Sequence, residues 1–298
     1  MSQKFKSSSK SLLEHLGLSE DSTSQYLQKH GKSFNFARLF LSSHIAKKSQ
    51  DLYAFCRVLD DLVDVDTIEQ SSYESLGFLN ALKSKITCES SNGYSNLSSR
   101  LSIQTQPILD LLEGMYHDIY KKSIDDFEAL ERYSYQVAGT VGLMMCDLLS
   151  IHGDEARARA IDLGIAMQLT NIVRDVEHDA KIGRIYLPQC WLGVTNPIEL
   201  INPKDNIKNK IIYAIKKTLK ASDHFYKSGL MGLKYIPFRE RFSILVAASI
   251  YRAIGTKVKA NQYFQPGIRA FVPMREKVFL TLLAVLQFIQ TGGAKKFS

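Results

Sequence analysis

Two acidic segments, far apart in the chain, carry residue types and spacings that could do chemistry. The first ends in Leu-Asp-Asp-Leu-Val-Asp, with Asp60, Asp61 and Asp64 set in an apolar helical pattern. The second reads Gln-Leu-Thr-Asn-Ile-Val-Arg-Asp-Val-Glu-His-Asp from Gln168 to Asp179. Each holds two acids four residues apart, a spacing that puts both carboxylates on one helix face. In the second segment Gln168, Asn171, Asp175 and Asp179 extend that face into a stripe at i, i+3, i+7 and i+11. A buried stripe of amides and acids is costly unless every group has a partner. Mg²⁺ can be that partner, because it joins one or two carboxylates to the phosphates of a substrate. Arg174, beside Asp175, suits bidentate binding of phosphate oxygens. In the first segment Tyr53, Arg57, Asp60, Asp61 and Asp64 share overlapping faces. Taken alone, the first cluster is often a surface salt-bridge network, and a solvated polar face is the lesser reading of the second. Two such helices facing each other across a cavity would hold a diphosphate between metal ions.

These segments need helices to position them, and the pattern is helical nearly throughout. Apolar residues recur at three- and four-residue spacing, as in Ile45, Leu52, Phe55, Leu59, Leu62 and Val63. The spacing predicts helices near 44–65, 72–87, 104–121, 125–150, 154–182, 208–231, 239–262 and 274–291. Strong β patterns are absent. Ser90 to Ser99, with Asn92-Gly93, reads as a polar loop, and Asn196-Pro197 opens another that runs to about Asp205. No composition break or internal repeat divides the 298 residues, so one all-α domain over 25–298 is expected behind a disordered tail over 1–24.

The formal net charge of +8 favours anionic partners: diphosphates, acidic lipid headgroups or nucleic acid. The basic residues are dispersed and no recognition motif accompanies them, which argues against nucleic acid. Arg269, Arg275 and Lys277 form a basic group near the C-terminus that reads first as a solvated face and second as a guard at a cavity mouth. The four cysteines, Cys56, Cys88, Cys146 and Cys190, form no C-x-x-C pair, so neither zinc nor a disulfide framework is expected, and a reducing cytoplasm fits. The apolar run Val278 to Ile289 is too short to span a bilayer and reads first as a core helix, second as a helix lying on a membrane surface. Gly139 and Gly142, in a helical segment, serve close approach either to a substrate or to a neighbouring helix.

Four blocks carry a family resemblance. They are His30-Gly31-Lys32-Ser33-Phe34, Asp60-Asp61-Leu62-Val63-Asp64, the run Tyr133 to Gly142 with its Val-Ala-Gly-Thr-Val-Gly, and Asn171 to Asp179 followed by Gly183-Arg184-Ile185-Tyr186-Leu187-Pro188. In order and spacing the chain resembles the squalene/phytoene synthases over about residues 25 to 290. Glu177 and His178 stand where the family commonly has Gly and Glu.

The resemblance implies a single-domain isoprenoid synthase fold, a helical bundle around a deep central cavity. It implies head-to-head condensation of two prenyl diphosphates through a cyclopropyl diphosphate. Asp60, Asp61 and Asp64 would bind Mg²⁺, or Mn²⁺ in its place, at one rim, and Asn171, Asp175 and Asp179 at the other. Arg57, Arg174, Tyr53, Gln168 and Tyr251 would contact diphosphate or the reacting carbons. His30, Gly31, Lys32 and Ser33 would close over a phosphate, and Tyr133 and Phe34 would line the tunnel near the cation. For Phe36 core packing is the better reading. The Gly-Arg-Ile-Tyr-Leu-Pro signature points to phytoene synthesis from geranylgeranyl diphosphate, a reaction without NADPH. The alternative is squalene or dehydrosqualene synthesis from farnesyl diphosphate. A non-catalytic assembly-factor relative is disfavoured because every expected acid is present. Substrates and products this greasy imply peripheral association with a membrane; oligomeric state is not readable.

Overall fold

The computed structural model describes residues 32–63, 69–87 and 102–290, without the side chains of 32, 69–72 and 290. Among these residues there is no strand. The helices are α1 (Lys32–Arg38), α2 (Ser43–Val63), α3 (Glu69–Thr87), α4 (Thr105–Ile119), α5 (Phe127–Ser134), α6 (Thr140–Leu148), α7 (Asp154–Lys181), α8 (Gln189–Leu192), α9 (Asp205–Met231), α10 (Phe238–Ala260) and α11 (Met274–Gln290).

The long helix α7 is the axis of the molecule, flanked by α9, by α6 and by α10. Its apolar residues Ile165, Leu169, Ile172, Val173 and Val176 point into one hydrophobic cluster shared with α9 and α10. A second cluster gathers Leu52, Phe55 and Leu59 of α2 with Leu79 of α3, Ile108, Leu111 and Leu112 of α4 and Met144 of α6. The two acidic segments therefore ride on two different cores.

The long helix predicted over 125–150 is interrupted. A single π-helical stretch, Tyr135–Gly139, joins α5 to α6. Such bulges arise where a neighbour distorts the regular ladder, often at functional sites. Here the neighbour is the backbone of α7. A Cβ at Gly142 would lie 2.3 Å from the Ala160 carbonyl oxygen, and one at Gly164 would lie 2.3 Å from that of Ala138. Glycine lets the two helices touch, so of the two readings of Gly142, helix packing is the one realised.

The remaining predicted helices fall within a few residues of α2, α3, α4, α7, α9, α10 and α11. Two short helices were not foreseen, α1 and α8, along with a 3₁₀ turn at Pro197–Leu200 inside the predicted loop. Phe36 packs edge-on against Phe40, as expected of core. The Asn92-Gly93 loop, Cys88 and the boundary near residue 25 lie outside the described residues.

Two expectations are corrected. Helix α11 is not a core helix: among its described residues only Lys277, Ala284 and Phe288, along one stripe, are buried, because among the described elements it packs chiefly on α10 while apolar residues cover its other sides. The basic group before it is not a uniform solvated face either. Lys277 is buried, and Arg269, though exposed, pairs with Asp175 because the loop carrying it folds back along α7. Arg275 is exposed as read.

Candidate active site

The stripe on α7 is realised, and its acids meet contrasting surroundings. Asp175 is held by two guanidinium groups. Arg174 donates Nε–H to Oδ1 (2.9 Å) and pairs with Oδ2, while Arg269 donates Nε–H to Oδ1 (2.7 Å) and Nη2–H to Oδ2 (3.0 Å). Burial works to raise the Asp175 pKa, but the two arginines outweigh it and hold the carboxyl below its ordinary value. Asp179, one turn on, has no such clamp. Burial, and then the charge of Asp175, push its carboxyl well above the ordinary range, against the partial relief given by Arg184 and Arg174. Asn171 donates Nδ2–H to Gln168 Oε1 (3.4 Å), yet its own Oδ1 is buried and accepts no hydrogen bond from any described residue.

The chain reverses just after this stripe. Gly183 takes a left-handed conformation (φ +78°), where glycine carries no steric penalty. The reversal lets the Arg184 amide close on the Asp179 carbonyl (2.9 Å) and buries the Arg184 side chain. Arg184 Nη2–H then donates to the Val63 carbonyl (2.7 Å), tying the second acidic segment to the end of α2.

Beside Asp179 stands an aromatic wall. Tyr133 and Tyr186 stack at 4.8 Å between ring centroids, and the His117 ring packs at a tilt against Tyr133 at 4.8 Å. Both hydroxyls donate to buried Asp118: Tyr186 to Oδ1 (2.8 Å) and Tyr133 to Oδ2 (3.0 Å). Burial, with the Asp118 charge added, pushes both phenols well above their usual range, so they remain protonated donors. Asp118 also adds to the charge crowding on Asp179.

The opposite side is built by α1 and α2. Phe34 stacks on Tyr53 at 5.1 Å. Arg57 pairs with Asp61 across one turn. The Tyr53 hydroxyl is raised by burial first, then by Tyr251, with Asp60 and Asp61 adding to it and Arg57 opposing. Tyr251, half-buried on α10, in turn feels Arg174 and Asp175. The line Asp60/Asp61–Tyr53–Tyr251–Arg174/Asp175 therefore crosses from one acidic helix to the other. Ser33 is half-buried at the start of α1 and Gln168 half-buried on α7. His30, Gly31 and Asp64 lie outside the described residues, as does the side chain of Lys32.

Sequence reasoning missed Asp118 as part of this group and misread Arg269. Asp118 had a faint signal: of the three acids in α4 it lies at i+3, i+7 and i+10 from the core residues Met115, Leu111 and Ile108. Arg269 had none, because its partner lies 94 positions away in a loop without periodicity.

The donor set suits a hard divalent cation. A crowded, buried carboxylate at Asp179 and an orphaned amide oxygen at Asn171 are groups that a cation would satisfy. Among the described residues no three Asp, Glu, His or Cys side chains gather tightly enough to hold a metal by themselves. A cation here would rest on amide and phosphate oxygens as well as carboxylates.

The model for squalene/phytoene synthases matches residues 27–276. The chain belongs to the squalene/phytoene synthase family. Relatives in that family include a phytoene synthase of Cereibacter sphaeroides, 31% identical over 92% of this chain and 81% of its own length. A chloroplastic phytoene synthase 2 of Solanum lycopersicum is 30% identical, over 88% of each chain. Among solved structures, a dehydrosqualene synthase with bound ligand superposes with a TM-score of 0.74 at 28% identity, covering 91% of this chain and 96% of its own. The family's isoprenoid synthase fold is thus the fold of this chain, and both acidic segments fall inside the matched region.

Proposed function

We propose that the protein is a phytoene synthase, joining two geranylgeranyl diphosphates head to head through a cyclopropyl diphosphate and releasing two diphosphates. The observation that carries this reading is the Arg184 side chain, which follows the acids of α7 and donates to the Val63 carbonyl beside the acids of α2. It supports a single compartment with an anion-binding rim on both sides. Asp60, Asp61 and Asp64 on one rim, and Asn171, Asp175 and Asp179 on the other, are the residues that would hold Mg²⁺ or Mn²⁺. When bound, the metal supplies Lewis-acid neutralisation of the departing diphosphate.

The chain's own residues do the rest. Arg174 and Arg269 bring two guanidinium forks to one point, the donor geometry a diphosphate takes. Arg57, Gln168, Tyr53 and Tyr251, with His30, Gly31, Lys32 and Ser33, surround the same charge. Departure of diphosphate leaves an allylic carbocation that open water would capture, so a dry wall is needed. The Tyr133–Tyr186 stack supplies it, and its protonated hydroxyls, both donated to Asp118, offer no phenolate to trap the cation. Phe34 presents a ring face from the other side, where aromatic rings stabilise passing positive charge.

A second reading is dehydrosqualene or squalene synthesis from farnesyl diphosphate, favoured by the likeness to the dehydrosqualene synthase structure. Purified protein incubated with geranylgeranyl or farnesyl diphosphate, with Mg²⁺ and with or without NADPH, separates the two. The expected product is phytoene without NADPH. Squalene or dehydrosqualene would establish the second reading, and turnover of neither diphosphate would sink both. Substrates and products this greasy favour work from the cytoplasm, peripherally on a membrane; no described helix is long and apolar enough to cross one.

A further inference from the structure

Helix α11 has two unlike faces. Lys277, Thr281, Ala284 and Phe288, at i, i+4, i+7 and i+11, look inward. Ala284 and Phe288 are buried against α10, where Phe288 packs on Phe238 (4.8 Å) and Phe242 (5.6 Å). Val278, Phe279, Leu282, Leu283, Leu286 and Ile289 look outward, each 44% exposed or more. Ile268 and Phe271, at 56% and 71% exposed, continue this apolar area into the preceding loop. Scattered apolar residues on a surface are ordinary, but a contiguous patch of this kind marks an interaction surface.

We propose that this face is the bilayer-docking surface of the protein and that it sets the mouth of the active site against the lipid. The proposal deepens the reading of a greasy diphosphate substrate and names the surface through which such a substrate enters. Three observations choose lipid as the occupant. First, the patch joins the site through one short loop. Arg269, itself exposed, reaches across to Asp175, and the Gly267 amide donates to Glu177, while the neighbouring Ile268 and Phe271 are exposed. The loop that reaches the diphosphate end of the site thus also carries part of the apolar patch. Second, the charge at its edges is complementary to an anionic membrane. Exposed Arg275 lies in the first turn of the helix that carries the patch, and exposed Arg239 follows Phe238, which packs on Phe288. Third, an apolar face bordered by basic side chains, on a helix of 17 residues, fits lying in the interface and not crossing it.

The loop anchor is specific to this chain's own residues. Glu177 is paired with Lys181 (2.6 Å) and with the Gly267 amide. The Gly267 contact holds the loop against α7.

The test uses the full chain and vesicles of phosphatidylcholine with or without phosphatidylglycerol, in flotation without substrate. Wild-type protein should float with vesicles, more strongly when they are anionic. The double variant Leu282→Glu/Leu286→Glu changes two exposed side chains that touch neither acidic segment. It should lose vesicle affinity by about a hundredfold, roughly tenfold per apolar side chain withdrawn from lipid. Its turnover of detergent-dispersed substrate should be unchanged while turnover of vesicle-borne substrate falls. Undiminished flotation of the variant overturns the proposal. So does a wild-type dimer that the variant dissolves into monomers, since a second copy would then be the occupant. A photo-crosslinker at position 286 that joins the chain's own residues 1–31 in place of lipid overturns it as well. Flotation reads docking alone, so loss of catalytic activity with intact flotation would refute the enzyme reading and leave the surface standing.

Discussion

The two acidic helices solve the same problem in different ways. On α7 the acids are embedded. The helix touches α6 backbone to backbone at Gly142 and Gly164, Asp175 is clamped by Arg174 and Arg269, and Arg184 folds back over its end. On α2 the acids sit at the helix end, half-buried, with Arg57 pairing Asp61 along the same helix and the Arg184 side chain donating to the Val63 carbonyl from across the site. One side is a fixed platform whose charges are balanced by the rest of the fold. The other lies at the end of its helix, where the Asp61 side chain is 34% exposed against 12% for Asp175. Binding of a diphosphate with its cations requires both charge sets, but only the α7 set is also part of what holds the molecule together.

The comparison breaks first on paired substitutions. Asp60→Ala and Asp175→Ala should each lower turnover by roughly a thousandfold or more, the scale of removing a main electrostatic contribution to the transition state. Thermal or denaturant unfolding should separate them. Asp60→Ala should stay within about 0.5 kcal/mol of wild type, as for a change outside a buried network. Asp175→Ala should lose about 1–3 kcal/mol, because Arg174 is left buried without its carboxylate. Equal stability losses in the two variants would show that α2 is as embedded as α7. Gly142→Ala tests the platform itself. Its Cβ would overlap the Ala160 carbonyl oxygen, and backbone cannot yield as a side chain can. A loss of about 2–3 kcal/mol is expected, of the order set by overpacking; an unchanged midpoint would mean that α6 and α7 do not meet there.

Much of this was legible from sequence, and the reason differs by residue. The stripe of Asn171, Asp175 and Asp179 was readable because helical periodicity alone places it on one face. That α2 and α7 oppose each other was suggested only by pairing two costly patterns, and it took Tyr251 from a third helix to connect them. Arg269 was misread because its role depends on a loop returning along α7, which periodicity does not encode. Asp118 was passed over because an acid in α4 has no local partner; its two tyrosines come from α5 and from the loop after α7. The exposed face of α11 was hidden for a related reason. An apolar helix has the same composition whether it is enclosed on all sides or rests on a single neighbour.

A smaller effect sharpens the contrast within α7 itself. Asp175 is depressed below the ordinary carboxylate range and Asp179 is raised above it, so the two contribute to stability with opposite signs. The contribution of Asp175 is present above its unfolded pKa of about 3.9 and is lost as pH falls through its lower folded value. Asp179 does the reverse: in acid it is protonated in both states and costs nothing, and as pH rises from the unfolded value through the raised folded one its ionisation progressively destabilises the metal-free fold. Asp179→Asn removes that cost and keeps the shape. Near neutrality, without divalent cation, the variant should therefore be more stable than wild type by about 1 kcal/mol, or about 2 °C in midpoint. The advantage should vanish below the ordinary carboxylate range. Mg²⁺ with inorganic diphosphate should narrow it from the other side, stabilising wild type more than the variant, because only wild type has the crowded charge for a cation to relieve. A variant less stable than wild type near neutrality would mean that Asp179 is already satisfied by Arg184 and Arg174, and that the platform on α7 is complete without metal.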